Sequence, residues 1–233
     1  GVQTCALPIS ENRSSDPGLT EIVVTATKRE TNLQRTPISI SVMGAETIHE
    51  RKVQSLLDLS DGGVPSLRVA TFEARQSALT IGIRGIVPLD ANQPAREQGV
   101  GVYIDGVYLG RQHGLNTGLF DVERVEVLKG PQGTLFGRNS TGGAISFVSR
   151  DPSAEAHFSG KVGVGNYGAR NVKFSAEPGE ILGIRTSFSY AHSERNGVVD
   201  NILQPDSSKD PGARRSDSFR FAAKANLGST GSI

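Results

Sequence analysis

The sequence contains no tryptophan, one methionine and one cysteine in 233 residues. A lone cysteine, Cys5, excludes an internal disulfide, a cysteine-based zinc cluster and a Cys-x-x-Cys redox pair. Lysine and arginine total 25, against 24 for aspartate and glutamate, so the chain as a whole has no field that attracts nucleic acid or an anionic surface. The composition therefore argues against a disulfide scaffold and against a nucleic-acid-binding protein.

Long apolar runs are also missing. No segment approaches the ~18 consecutive apolar residues of a membrane-spanning helix, which leaves water or a β-barrel as the environment of the chain. Residues 1–10 lack the pattern of an export signal, and we expect residues 1–20 to be non-native sequence and a disordered linker. The 28 glycines indicate turn-rich β structure, because glycine readily adopts the positive φ angles of hairpins.

A short apolar segment follows this linker. It is rich in β-branched residues and lies alone between polar stretches, at Glu21, Ile22, Val23, Val24, Thr25 and Ala26. Its position favours an ordinary first strand. The alternative is a segment that adds to the sheet edge of another protein through main-chain hydrogen bonds.

Residues 36–152 have the pattern of a small α/β domain. Alternating apolar residues predict a strand at 38–42, and helical spacing predicts a helix from residue 44 to about residue 60. A hairpin is predicted where Asp105-Gly106 separates two alternating runs. A second helix-length stretch surrounds residues 119–122, and a glycine-rich stretch then leads into a strand at 144–149.

Beyond residue 152 the pattern changes to long alternating strands at 157–165, 171–177, 184–193 and 218–227. In the third strand, alternate residues are mostly apolar and the intervening ones mostly polar. The strands approach the ~9–11 residues of a transmembrane β-strand rather than the usual ~5–6. Short and long connections alternate, as in outer-membrane barrels, although a soluble antiparallel sandwich gives the same residue pattern.

Several motifs, in order, resemble the plug domain of TonB-dependent outer-membrane receptors. They read EIVVTATKRE, TPISISVMGAETI, SLRV, IGIRGI, VGVYIDGVYLGR and VERVEVLKGPQGTLFGRNSTGGAISFVSRDP. The resemblance implies a TonB box and linker at 21–35, an α+β plug domain at 36–152, and antiparallel strands at 153–233. These strands would begin a 22-stranded transmembrane β-barrel that is incomplete here.

The resemblance also implies functional residues. The TonB box would be Glu21, Ile22, Val23, Val24, Thr25 and Ala26. Contacts between plug and barrel would come from Arg84, Glu123, Arg124 and Glu126. The alternative for these four is exposed strand residues whose surface ion pairs contribute only ~0–1 kcal/mol each. Ligand contacts would come from plug loops that contain Arg96, Arg111, Gln112 and His113.

The function implied by the resemblance is active import of a scarce ligand across the outer membrane of a Gram-negative bacterium. The commonest ligand in the family is a ferric siderophore; cobalamin, haem, glycans and nickel chelates are others. The partners would be TonB, energised by the inner-membrane ExbB-ExbD complex, and outer-membrane lipid, with the plug and the TonB box facing the periplasm. The alternative is a soluble periplasmic binding or signalling module without a barrel, and dependence on detergent separates the two.

No enzyme chemistry is predicted. Residues 163–168 fit the G-x-G-x-x-G pattern, but a strand follows where a dinucleotide site needs a helix. The glycine loop at 133–138 lacks the Lys-Ser/Thr pair of a phosphate-binding loop. The four histidines are scattered without the spacing of metal ligands. We therefore expect no catalytic site, cofactor or metal.

Overall fold

The computed structural model describes residues 22–25, 28–29, 31–72, 75–88, 97–111, 113–116, 121–199, 202 and 210–225. The described residues fall into two compact units, with the division between Thr36 and Pro37. In the first unit, strand β1 (Val23–Val24) pairs antiparallel with strand β2 (Thr31–Asn32), and a 3-10 helix follows at Leu33–Arg35. The side chain of Asn32 caps this helix by accepting a hydrogen bond from the amide of Gln34 at 2.8 Å.

A five-stranded mixed sheet forms the centre of the second unit, with a separate two-stranded hairpin beside it. The order in the large sheet is β3-β8-β9-β6-β7, in which only the β6–β9 pair is parallel, and the hairpin pairs β4 with β5. The strands are β3 (Ile40–Gly44), β4 (Leu67–Phe72), β5 (Arg75–Ile83), β6 (Val100–Ile104), β7 (Val107–Tyr108), β8 (Val122–Lys129) and β9 (Gly143–Ser149).

The core of this α/β part is apolar and made of β-branched and leucine side chains. In the central strand β9 six of seven residues are buried, and in its neighbour β8 residues 125–128 are buried, because both faces of the sheet are covered there. The buried cluster consists of Met43, Val53, Leu56, Leu59, Val64, Val69, Leu79, Ile81, Ile83, Val100, Val102, Leu115, Val125, Val127, Ile145 and Phe147. The hairpin predicted at Asp105-Gly106 is confirmed, since these residues form the turn between β6 and β7.

The single helix predicted from residue 44 to about residue 60 is wrong. The structure has a short helix α1 (Ala45–Glu50) and a separate 3-10 helix at Leu56–Asp61. A new helix start intervenes because Ser55 and Asp58 form a capping box, in which the Asp58 carboxylate accepts the amide of Ser55 at 2.8 Å. The second helix-length stretch lies mostly outside the described residues, and Val122 belongs to strand β8 rather than to a helix.

A glycine permits the start of β9 beside β8. Gly143 has a φ of +146°, and a Cβ at this position would lie 2.2 Å from the carbonyl oxygen of Leu128. The pairing of β8 with β9 at this point therefore requires a residue without a side chain. Gly143 thus allows the chain that follows helix α2 (Gly133–Phe136) to pair with β8 as strand β9.

Four long strands follow as an antiparallel meander, in the order β10-β11-β12-β13. They are β10 (His157–Gly165), β11 (Ala169–Ile181), β12 (Ile184–Arg195) and β13 (Arg214–Ala225). The predicted strands are therefore present, with β10 at the predicted bounds and the others shifted or extended by a few residues. Leu182 and Gly183, both with positive φ, form the tight turn between β11 and β12.

The two faces of this sheet differ in a way that is unusual for a water-soluble protein. On the polar face, Ser187 and Ser189 are each only 3% exposed. On the other face, five phenylalanines are between 42% and 70% exposed: Phe158, Phe174, Phe188, Phe219 and Phe221. At β12 the sheet thus buries its polar face and exposes apolar side chains on the other, the reverse of a soluble sandwich. No helix among the described ranges is long and apolar enough to cross a membrane.

An ion pair between Arg51 and Asp61 closes the segment that contains α1 and the 3-10 helix. The Arg51 Nε donates to Asp61 Oδ2 at 3.1 Å, and its Nη2 contacts both carboxylate oxygens. The Arg51 guanidinium, followed by the amide of Gly63, holds the pKa of Asp61 below its usual value. A carboxylate with a lowered pKa stabilises the fold at neutral pH, and this contribution is lost as the pH falls through the lowered pKa.

Replacing Gly143 with alanine is expected to destabilise the β8–β9 pairing by about 2–4 kcal/mol, because the new Cβ overlaps the Leu128 carbonyl. Hydrogen exchange of the whole protein in detergent should show faster exchange at residues 122–129 and 143–149. The matched control is Gly133→Ala, at a helical position with open space around it, which should leave exchange unchanged or slower. Equal exchange in the two variants would contradict the steric requirement.

Replacing Asp61 with asparagine is expected to lower the free energy of unfolding at neutral pH by up to about 1 kcal/mol, since the pair is partly exposed. The difference from the wild type should shrink in acid, where the wild-type carboxylate becomes protonated. Urea unfolding of the plug in the whole protein, at neutral and acidic pH, measures this. A difference that is independent of pH would exclude the charge of Asp61 as the cause.

Candidate functional site

The segment predicted to bind a partner by strand addition is already paired with its own chain. Val23 pairs with Asn32 and Val24 with Thr31, and the amide of Leu33 donates to the Ile22 carbonyl at 2.9 Å. Ile22 and Val23 are exposed, whereas Val24 is buried. Two more residues predicted for this segment, Glu21 and Ala26, lie outside the described residues. The observed ladder is only two residue pairs long. Few hydrogen bonds would therefore be lost if this segment paired with a different strand.

The structure brings together three of the four residues predicted to link plug and barrel. Arg124 Nε donates to Glu126 Oε1 at 2.8 Å, and Arg124 Nη1 donates to Glu123 Oε1 at 2.6 Å. Glu126 is fully buried, and a buried carboxylate needs a nearby positive charge. The Arg124 guanidinium provides that charge at close range. The fourth residue, Arg84, lies apart from this cluster, in the exposed turn after β5, with a φ of +52°.

Two of the four residues predicted to contact a ligand, Arg111 and His113, lie in the described part of the chain, after strand β7. Arg111 and His113 are both exposed, and His113 forms an isolated bridge with Ala78 of β5. The neighbouring Gly114 amide donates to the Ser77 carbonyl at 2.9 Å, which holds this loop beside β5. Arg96 and Gln112 lie outside the described residues.

An aspartate at the start of β8 makes the main polar contact between the α/β part and the long strands. Asp121 Oδ2 accepts hydrogen bonds from Arg220 Nη1 of β13 at 2.9 Å and from Ser189 Oγ of β12 at 3.0 Å. The Asp121 side chain is 8% exposed, so this charge-assisted contact is shielded from water. Arg220 also donates to the Arg150 carbonyl at 3.2 Å, which fixes the end of β9 at the same place.

The connection from β9 to β10 is held against the long strands. The Ser153 amide donates to Glu177 Oε2 at 2.9 Å, and the Glu180 amide donates to the Ala154 carbonyl at 3.0 Å. Asp151 forms an ion pair with Lys224 of β13. Sequence reasoning missed these contacts because their partners are 24 to 99 residues apart, and alternation along a strand does not reveal which distant residue each side chain meets.

The described part of the chain contains no group of three or more His, Cys, Asp or Glu side chains that could hold a metal ion. The arrangement instead provides polar contacts between two layers. One layer is an α/β sheet with a short paired segment before it in sequence, and the other is a strand meander with an exposed apolar face.

Comparison with known proteins identifies the α/β part. Residues 32–144 match the family described as TonB-dependent Receptor Plug Domain. The chain is 29% identical over 160 residues to the vitamin B12 transporter BtuB of Vibrio vulnificus, covering 66% of this chain and 24% of that protein. It is 32% identical over 137 residues to the ferrichrome outer membrane transporter/phage receptor of Escherichia coli K12, covering 56% of this chain and 17% of that protein.

The chain therefore spans a quarter or less of the length of these two relatives. A solved structure, the pyoverdine outer membrane receptor FpvA from Pseudomonas aeruginosa, matches with a TM-score of 0.72 and 17% identity, over 96% of this chain and 31% of that one. This likeness extends through the long strands as well as the α/β part and establishes the fold. Residues 32–144 are therefore a plug domain of the TonB-dependent receptor family, and the four antiparallel strands that follow share the fold of the matching strands in the solved receptor.

Proposed function

We propose that the protein imports a scarce ligand across the outer membrane of a Gram-negative bacterium, with the plug gating a barrel. The observation that carries this proposal is the inverted polarity of the strand meander. Its polar face binds the plug through Asp121, Ser189 and Arg220, while its apolar face is exposed. A wall with this polarity suits lipid on one side and a polar plug on the other.

The register of the strands aligns the apolar side chains into a band. Phe188 lies opposite Ala176 on one side and Phe221 on the other, and Phe158 continues the same row. In the next row, the rings of Tyr190 and Phe219 have centroids 5.0 Å apart. Such a band disfavours the alternative of a soluble periplasmic module, which would leave these aromatic side chains in water.

In this proposal, residues 21–35 are the TonB box and linker, residues 36–152 are the plug, and residues 153–233 are barrel strands. The box exchanges its pairing with β2 for a strand of the periplasmic protein TonB, which the ExbB-ExbD complex energises. The short ladder between β1 and β2 supports this exchange. The plug and the box face the periplasm.

A ferric siderophore is the ligand that we propose, in line with the relatives named for ferrichrome and pyoverdine. We propose ligand contacts from Arg96, Arg111, Gln112 and His113, of which Arg111 and His113 are exposed and available. Cationic side chains suit the anionic oxygens of such ligands. Contacts between the plug and the remaining barrel wall are proposed for Arg84, Glu123, Arg124 and Glu126.

Replacing Val23 with proline is expected to abolish uptake while leaving ligand binding at the cell surface intact. Proline removes a main-chain donor, so the segment can no longer pair fully as a strand. Uptake of radiolabelled ferric siderophores by iron-limited cells, beside binding at low temperature, measures both steps. The control Val23→Thr keeps the amide and the β-branched shape and should transport normally. Normal uptake by the proline variant would exclude this segment as the TonB box.

Replacing Asp121 with alanine is expected to loosen the plug from the wall, because Arg220 then loses a shielded carboxylate partner, at a cost of about 1.5–3 kcal/mol. Hydrogen exchange at residues 121–129 and 150–156 should rise in the whole protein, and cells should admit more of a large antibiotic. The control is Arg138→Ala, which removes a pair with Glu97 that is largely in solvent and should change neither quantity. Wild-type exchange in the Asp121 variant would contradict the proposed contact.

A further inference from the structure

A cavity of about 360 Å³ lies between helix α1 and the start of β8 on the plug side and strands β10 and β11 on the wall side. Its lining includes four basic side chains, Lys52, Arg150, Lys161 and Lys173, together with His49. Neither the TonB box nor the loops proposed to contact the siderophore contribute to it. Its volume is at the small end of the range of ligand pockets, ~300–1,000 Å³.

Two of these lysines face each other across the β10–β11 pair. Lys161 lies directly opposite Lys173 in the register, on the face that meets the plug. Like charges at directly opposed positions destabilise a strand pair unless a counter-charge lies between them. Lys161 Nζ contacts His49 Nε2 of α1 at 2.8 Å. Lys173 is half-buried.

The acidic side chains near the cavity are engaged elsewhere. Asp121 is the one carboxylate in the lining, and it is bound to Arg220 and Ser189. Asp58 is close enough to attract Lys173, but its carboxylate accepts the amides of Gln54 and Ser55 in the capping box, each at 2.8 Å. Even when Asp58 is counted with the lining, four basic side chains face two carboxylates, so positive charge remains in excess.

We propose that this cavity binds a small oxyanion, with phosphate or carboxylate oxygens as the ligating groups. Lys161 and Lys173 would bind it from the wall, and Lys52 and Arg150 from the plug. Oxygen anions fit this set because ammonium and guanidinium groups form short charge-assisted hydrogen bonds with them. A bound oxyanion would relieve the repulsion within the β10–β11 pair and join plug to wall. This site depends on the observed geometry and is independent of the transported ligand.

The test is calorimetric titration of the whole protein, in detergent and at low salt, with inorganic phosphate in one arm and citrate in the other. Saturable binding is expected for at least one of the two, and the tighter one shows whether phosphate or carboxylate is preferred. Affinity should fall at least tenfold in Lys173→Met, which keeps the length and loses the charge. It should be largely retained in Lys173→Arg, and it should weaken as salt is added.

A matched control separates this site from general surface charge. Arg138→Gln removes a cation that is 80% exposed and distant from the cavity lining, and it should bind both anions like the wild type. Heat-resistant migration on a denaturing gel checks that each variant is assembled. The proposal is overturned if the wild type binds neither anion saturably, or if Lys173→Met and Arg138→Gln bind equally well. Transport by the same variants is a separate measurement, so failure here leaves the import function untouched.

Discussion

The contact of Asp121 with Arg220 and Ser189 is the interaction on which the arrangement of the chain depends. It fixes the start of β8 to β12 and β13, and Arg220 extends it to the end of β9. This contact, which is shielded from water, therefore fixes the position of the central plug strands relative to the strand meander. The surrounding polar contacts, such as Ser153 with Glu177, then hold the connection between the two layers.

The polar character of this interface has a physical advantage over an apolar one. An apolar interface between plug and wall would be stabilised by the hydrophobic effect over its whole area, at roughly 25 cal/mol per Å². Hydrogen bonds and ion pairs contribute less in net terms, because water satisfies the same groups when they separate. A plug held by directional polar contacts is positioned by their geometry, and under the proposed import function such contacts could be exchanged for contacts with water.

The sequence predicted local structure well where the spacing of apolar residues, or the residue type at a turn, determines that structure. The bounds of β10 follow directly from alternation, and the turn at Asp105-Gly106 from residue type. The helix from residue 44 failed because the apolar spacing continues through Ser55, whose side chain starts a new helix with Asp58. The hydrogen bonds between Ser55 and Asp58 thus determined where the helix begins, although the apolar spacing indicated one continuous helix.

The contacts between the plug and the long strands could not be predicted from sequence patterns. Alternation in β12 separates two faces, but it cannot state which one is buried, and the structure buries the polar one. The partner of Asp121 lies 99 residues further along the chain, and one sequence carries no signal for such a pair. The resemblance to a family supplied the candidate box and contact residues, whereas the cavity lined by lysines required coordinates.

The position of β3 in the plug sheet has a mechanical consequence. This strand is at the edge of the sheet, where five residue pairs with β8 hold it, and it is the first strand of that sheet to follow residues 22–25 in sequence. Tension applied at residues 22–25 is thus transmitted along the chain to β3 before it reaches the central strands. Because β8 and β9 are anchored to the long strands, such tension would act first on the five residue pairs between β3 and β8.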